Sequence, residues 1–362
     1  MTRHAIQRGL GIPLVLFGLL SGCDNAPSGA GDASGNERVA GDSKGSKGPV
    51  LRFVTNTYSD FWAAAEKGMK DGAAEFGARV EMRKNLKGET QRQIEFLEEA
   101  LNQRDVQGVA VSVVDSKAVG VADVLKRLND AGKIVITIDS DIAQDSANLR
   151  RAYIGTQNHE AGMAAGRAAA AIRPNGGEVA VFVGIPSAAN AIERRDGFFE
   201  GAGAAFKQQE VFGDKTEKKI ALDNVQIAVS KYPDLGLLLG LWSYNAPAIG
   251  DFVASAPDLK KRLNVVTFDL DANAIPHVEK GLIDATICQN PYMMGYQGVK
   301  LLKALVEKDQ ATIDQILPNG ATMHDTGLRI VVPNADSPVK GDNVMTIEEM
   351  KSWLASKGLS ST

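Results

Sequence analysis

From residue 50 onward, short runs of Val, Ile, Leu and Phe alternate with longer stretches whose apolar residues recur at helical spacing. "VLRFV", "GARVEMR", "GVAVSVV", "KIVITID", "AYIG", "EVAVFVG", "LGLLLGL", "LNVVTFD" and "DATICQ" read as strands. The spacing predicts helices over residues 61–76, 89–102, 117–129, 158–172, 189–206, 216–231, 246–256, 272–280 and 292–306. Continuous apolar strands separated by helices can be buried only in parallel sheets covered on both faces, which fixes the class as α/β. A chain of 362 residues exceeds one core, so two lobes are expected. An internal echo agrees: Gly68 and Gly72 in "EKGMKDGAAEF" match Gly197 and Gly201 in "RDGFFEGAGAAF". Glycine inside a helix costs about 1 kcal/mol against alanine. Close approach to a sheet or a neighbouring helix is the expected compensation.

The first residues have a different grammar. Arg3, His4 and Arg8 precede an apolar segment over residues 10–20 that is too short to span a bilayer. It ends in Leu20-Ser21-Gly22-Cys23, which resembles a bacterial lipobox, with Cys23 the expected lipidated residue after removal of a signal peptide over 1–22. Residues 24–48 are rich in Gly, Ser, Asp and Lys without apolar period, the composition of a flexible tether, so 23–48 is expected to be a linker. A lipid there would hold the body at a membrane without a transmembrane helix. Only Cys288 remains beyond it, in an apolar strand, where it reads as a small buried hydrophobe. Four histidines and that cysteine give no metal-ligand spacing. A net charge of −4 argues against a nucleic-acid partner.

In open parallel sheets, ligands bind beyond the carboxyl ends of the strands. Seven such exits carry polar or aromatic clusters: "TNTYSDFW" with Ser59, Phe61 and Trp62; "VSVVDS" with Ser112; "IDSD" with Asp139; "SAANAIER" with Asn190 and Arg194; "WSYN" with Trp242, Tyr244 and Asn245; "DLD" with Asp269; and "CQN" with Gln289. Carboxylates, amides and an Arg fork suit the hydroxyls of a neutral polyol, and flat rings cover its C–H face. Singly, each has a plainer use. Asx and Ser after a strand are common turn formers and helix caps, and Phe61 and Trp62 stand where helix-start packing residues stand. Trp353 reads as a packing residue of a terminal helix that Thr346 and Glu349 cap. The recurrence over seven exits carries the binding-site reading.

Those clusters, with "YIGTQNHEAGMAAGR", "NAIERRDGF", "YPDLGLLLGLWSYNAPAIG" and "GLIDATICQNPYMMGYQGVK", make residues 50–333 resemble the sugar-binding periplasmic proteins of bacterial ABC importers, the group that includes the ribose-binding protein. The resemblance implies two Rossmann-like, doubly wound lobes joined by a three-strand hinge, with a monosaccharide in the cleft, an ABC permease as partner, no cofactor and a monomeric chain. It implies a first lobe of residues 49–154 plus 290–315, a second of 155–289 plus 316–335, and an extension over 336–362 with a short helix. It places Ser59, Phe61, Trp62 and Asp139 on one wall, Asn190, Arg194, Asp269 and the Trp242–Tyr244–Asn245 cluster on the other, and Gln289 toward the hinge. Three departures stand out. Ser140-Asp141 follow Asp139 where ribose binders carry arginine, Tyr244 replaces an amide, and "FKQQEVFGDKTEKK" looks short for the strand and loop expected there. The first two leave the sugar open; the third leaves contacts around Asp214 and Thr216 open.

Other classes fit less well. A periplasmic sensor feeding a chemoreceptor or histidine kinase would use the same cleft. A repressor needs a DNA-binding helix pair ahead of the core, where this chain has a leader and tether. "VFVGIPSAAN" and "FVTNTYSD" lack the glycines of a phosphate-cradling turn, and no nucleophile–base or paired-carboxylate motif is legible, so an enzyme is not expected.

Overall fold

The computed structural model describes residues 48–362. Cys23 and its surroundings lie outside the described residues. The chain first runs β1 (Val50–Val54), α1 (Asp60–Phe76), β2 (Arg79–Arg83), α2 (Thr90–Asn102), β3 (Val106–Val111), α3 (Val119–Asp130), β4 (Ile134–Ile138) and β5 (Tyr153–Gly155). It repeats the plan with α4 (Asn158–Ile172), β6 (Gly177–Val183), α5 (Ala189–Ala202), β7 (Phe206–Gly213), α6 (Lys218–Lys231), β8 (Leu235–Gly240), α7 (Asn245–Ser255), α8 (Pro257–Lys260), β9 (Asn264–Phe268), α9 (Ile275–Glu279) and β10 (Ala285–Cys288). α10 (Pro291–Glu307), α11 (Gln310–Ile316), β11 (Met323–Asp325), β12 (Arg329–Val332), β13 (Val344–Thr346) and α12 (Ile347–Ser356) complete it.

Two sheets result, ordered β11-β5-β4-β3-β1-β2 and β13-β12-β10-β9-β8-β6-β7. Each contains the doubly wound 2-1-3-4-5 order, and pairing is parallel except between β10 and β12. Every residue of β1 and of β8 is buried, as expected for strands covered on both faces. Apolar clusters lie on either side of each sheet. The chain passes from one sheet to the other three times, after β5, after β10 and after β11.

The helix glycines have the architectural role expected of them. A Cβ on Gly68 would collide with the backbone carbonyl of Tyr292 on α10, and one on Gly197 with that of His159 on α4. α1 with α10, and α4 with α5, therefore pack backbone against backbone. The capping box at Thr346 and Glu349 is formed, and Trp353 packs on the second core with Arg329 over its ring at 4.2 Å. Cys288 is a buried free thiol, and burial raises its pKa.

The structure corrects several boundaries. The helix expected over 189–206 ends at Ala202, because Gly203 takes φ +81° and turns the chain. Phe206–Gly213 is a full edge strand, not a shortened loop, and its polar, partly exposed sequence disguised it. α6 starts at Lys218 and α9 spans only Ile275–Glu279. Met323–Asp325, assigned above to the second lobe, pairs with β5 in the first sheet. The segment from residue 336 is no appendage: β13 pairs with β12 and extends the second sheet.

Candidate functional site

The carboxyl ends of both sheets face one shared cavity. Ten of the twelve residues singled out at the strand exits line it: Ser59, Phe61, Trp62, Asp139, Asn190, Arg194, Trp242, Tyr244, Asp269 and Gln289. Asn56, Thr57 and Ser243 join them, each inside an exit cluster already noted but not chosen. The lobes touch across the cleft: Ser59 Oγ lies 3.2 Å from Ser243 Oγ, and the Ala272 N–H donates to Asp60 Oδ2 at 3.3 Å.

Each lobe presents a carboxylate from a strained turn. Asp139 follows β4 with φ +63° and Asp269 follows β9 with φ +59°, left-handed conformations that Asp tolerates better than most residues. Ser112 Oγ donates to Asp139 Oδ2 at 2.9 Å, and Asn56 Nδ2 donates to the same oxygen at 3.3 Å. Asp269 Oδ1 accepts from the Gln289 backbone N–H at 3.0 Å and Oδ2 from Gln289 Nε2 at 2.9 Å. Burial pushes the Asp139 carboxyl up to about 6, against the opposing pull of Arg194 and Ser112. Burial likewise raises Asp269, with Arg194 again opposing.

Arg194 lies between the two carboxylates in charge terms and is 1% exposed. Its Nε donates to Asn158 Oδ1 at 2.9 Å and its Nη1 to the Leu241 carbonyl at 2.9 Å, while its plane lies 4.7 Å from the Phe268 ring centre. Nη2 has no hydrogen-bond partner among the described residues and is 4.0 Å from Asp139 Oδ1. A buried donor of this kind is costly unless something accepts from it.

The rings form an apolar wall whose polar tips are already engaged. Trp62 Nε1 donates to Asn56 Oδ1 and Trp242 Nε1 to Asn190 Oδ1, both at 3.2 Å, and the Tyr244 hydroxyl donates to Asp214 Oδ1. Phe61 packs edge-on against Trp62, with ring centres 5.3 Å apart. A ligand there meets ring faces and edges rather than N–H or O–H groups.

Two chosen residues are not on the cavity wall. Ser112 stands behind Asp139, holding its carboxylate. Asn245 is turned back into the fold: its Oδ1 accepts from the Trp242 N–H at 3.1 Å and its Nδ2 donates to Asp214 Oδ2 at 2.9 Å. Asp214, left open in the sequence, is thus the buried anchor of the Tyr244 and Asn245 side chains, and burial pushes its carboxyl up to about 6. Asp141 also points away from the cavity, paired with Arg150 through Nε at 2.7 Å and Nη2 at 2.5 Å. No group of three or more His, Cys, Asp or Glu side chains among the described residues could hold a metal ion.

Residues 52–310, more than half of the chain, match the family described as a periplasmic binding protein domain. The chain belongs to the periplasmic binding protein family. Among characterised relatives of this periplasmic binding protein, the D-allose-binding periplasmic protein of Escherichia coli is 27% identical over 70% of this chain and 82% of its own. A D-ribose/D-allose-binding protein of Pseudomonas aeruginosa is 26% identical over 66% of this chain and 75% of its own. A solute-binding protein of an ABC transporter from Burkholderia graminis, solved in complex with D-arabinose, superposes with a TM-score of 0.71 at 25% identity, covering 80% of this chain and 96% of its own. A glucose-galactose binding protein from Geobacillus stearothermophilus gives the same TM-score and identity over 81% of this chain and all of its own. Membership implies an extracytoplasmic location. No helix of the described residues is long and apolar enough to cross a membrane.

Proposed function

We propose that this periplasmic binding protein is the substrate-binding component of an ABC-type sugar importer. It captures a neutral monosaccharide or related polyol between its lobes and presents the closed form to a membrane permease. The sugar is released unchanged. The chain acts as a monomer, tethered to the membrane by lipid on Cys23.

The observation that carries this reading is Arg194 Nη2, a buried donor without a hydrogen-bond partner among the described residues, held 4.0 Å from Asp139 Oδ1 beside the Trp62 and Trp242 rings. A sugar hydroxyl is both acceptor and donor. One hydroxyl can accept from Arg194 and donate to Asp139, satisfying both in a single contact. An anionic ligand would meet two carboxylates, Asp139 and Asp269, against one arginine in the same cavity. The sugars in the names of the relatives, allose, ribose, arabinose, glucose and galactose, are uncharged as well. Closure needs contacts from both lobes, since a ligand held equally in the open and closed states shifts neither. Trp62 on α1 and Asp139 after β4 come from the first lobe, and Asn190 and Arg194 on α5 and Trp242 after β8 from the second.

A thermal-shift panel of pentoses, hexoses, polyols, sugar acids and sugar phosphates tests it. At a thousandfold excess over Kd, a ligand that binds only the folded chain stabilises it by about 4 kcal/mol, or roughly 5–10 °C in Tm. The panel should contain at least one neutral monosaccharide with such a shift. A panel in which only sugar acids or phosphates stabilise the protein would reject the neutral-sugar assignment.

A further inference from the structure

The two cleft carboxylates are built alike but secured differently. In both, the backbone carbonyl of the strained Asp accepts from a hydroxyl on the neighbouring strand: Asp139 O from the Tyr153 hydroxyl at 2.8 Å, and Asp269 O from Thr286 Oγ1 at 2.7 Å. The amide N–H on the far side of each peptide goes to different places. That of Ser140 turns back onto Ile138 O at 2.7 Å, inside its own loop. That of Leu270 donates to Thr362 Oγ1 at 2.9 Å, and the Thr362 N–H donates in return to Leu270 O at 3.0 Å. Leu270 is fully buried and Thr362 is 1% exposed.

We infer that Thr362 is a positioning residue for ligand binding, its hydroxyl fixing the Asp269–Leu270 peptide so that the Asp269 carboxylate is presented to the cleft. This inference rests on the sugar-binding reading of that cleft. A left-handed Asp costs free energy and persists only where its surroundings over-determine it. Thr286 and Thr362 hold the two ends of one peptide plane, which sets the torsion from which the carboxylate is aimed. Gln289 fixes the carboxylate itself. The chain beyond α12 therefore returns from the outer edge of the second sheet to the loop of one of its site residues, 92 positions earlier in sequence.

Thr362→Val keeps the shape and the backbone N–H but removes the acceptor, leaving the Leu270 N–H buried and unpaired. Thr362→Ser keeps the acceptor. Sugar Kd by calorimetry, well below Tm, is read with amide exchange at Leu270 in the ligand-free protein. Expected is a Kd about tenfold weaker in Thr362→Val, a Leu270 amide that loses protection, and recovery of both in Thr362→Ser. A merely structural role would lower Tm equally with and without sugar and leave Kd unchanged. A Thr362→Val protein that binds the sugar as tightly as the parent overturns the positioning role alone. A parent chain that binds none of the neutral sugars overturns both the role and the cleft reading beneath it.

Discussion

Replacing Asp139 by Asn should weaken sugar binding about 100-fold at pH 7, the loss of charge-assisted bonds to sugar hydroxyls. Asn is the informative substitution because the position has φ +63°, which Asn tolerates and Ala does not. The amide also fits the same space. The pH dependence supplies a second signature. Burial sets the Asp139 carboxyl at about 6 in the ligand-free cleft, and sugar hydroxyls donate best to its ionised form. Parent affinity should therefore be full above about pH 7 and decline as pH falls through 6, and the Asn variant should lose the share of that decline that Asp139 carries, leaving what Asp269 contributes. The sign for stability is opposite. A carboxyl raised above its unfolded value near 4 contributes stability below that pH, and the contribution is lost as pH rises through about 6. Between pH 4 and 6 the ligand-free parent should lose on the order of 3 kcal/mol that the Asn variant keeps. Calorimetric titrations and denaturant melts at pH 4, 5, 6, 7 and 8 read both. An unchanged Kd at pH 7 would remove Asp139 from the binding machinery.

Gly162→Ala should destabilise the protein, although alanine is the better helix former by about 1 kcal/mol. Gly162 lies in α4, where a Cβ would press into the Arg194 carbonyl on α5. Backbone packed on backbone cannot yield by a rotamer change, so the helices must separate. Overpacking of this kind costs about 1–3 kcal/mol, a fall of roughly 2–7 °C in Tm. Because α5 carries Asn190 and Arg194 into the cavity, the displacement should also weaken the sugar about tenfold. Thermal melts with and without sugar separate the two effects. A rise in Tm would mean that intrinsic propensity outweighs the contact and that α5 is not held by this close approach.

The architecture was legible because burial on both sheet faces leaves little room for disguise. "VLRFV" and "LGLLLGL" are apolar throughout, and the glycine echo identified the helices that pack backbone to backbone. β7 was hidden for the converse reason. As an edge strand it needs few apolar residues, and "FKQQEVFG" carries them only where it meets the core. The chain after α10 was poorly read because β11, β12 and β13 are three or four residues each, too short for a periodic signal. The rule that ligands lie beyond strand ends picked out clusters that share the wall of one cavity. What it does not supply is the direction of a side chain within a turn. Ser112 and Asn245 stand at strand exits like their neighbours, yet one supports Asp139 and the other joins Trp242 to Asp214. The contacts of Asp214 were left open because the strand that delivers it was not read. Thr362 had no sequence signal at all, since its partner is 92 positions away.

The most direct measurement is a calorimetric titration of the purified chain with the sugar that the thermal panel selects, followed by recovery and chemical analysis of that sugar. Capture between two closing lobes predicts one saturable site per chain, loss of binding when either Asp139 or Arg194 is replaced, and a sugar recovered intact. Saturable binding that survives loss of both residues, or a recovered sugar that has been chemically altered, would contradict it.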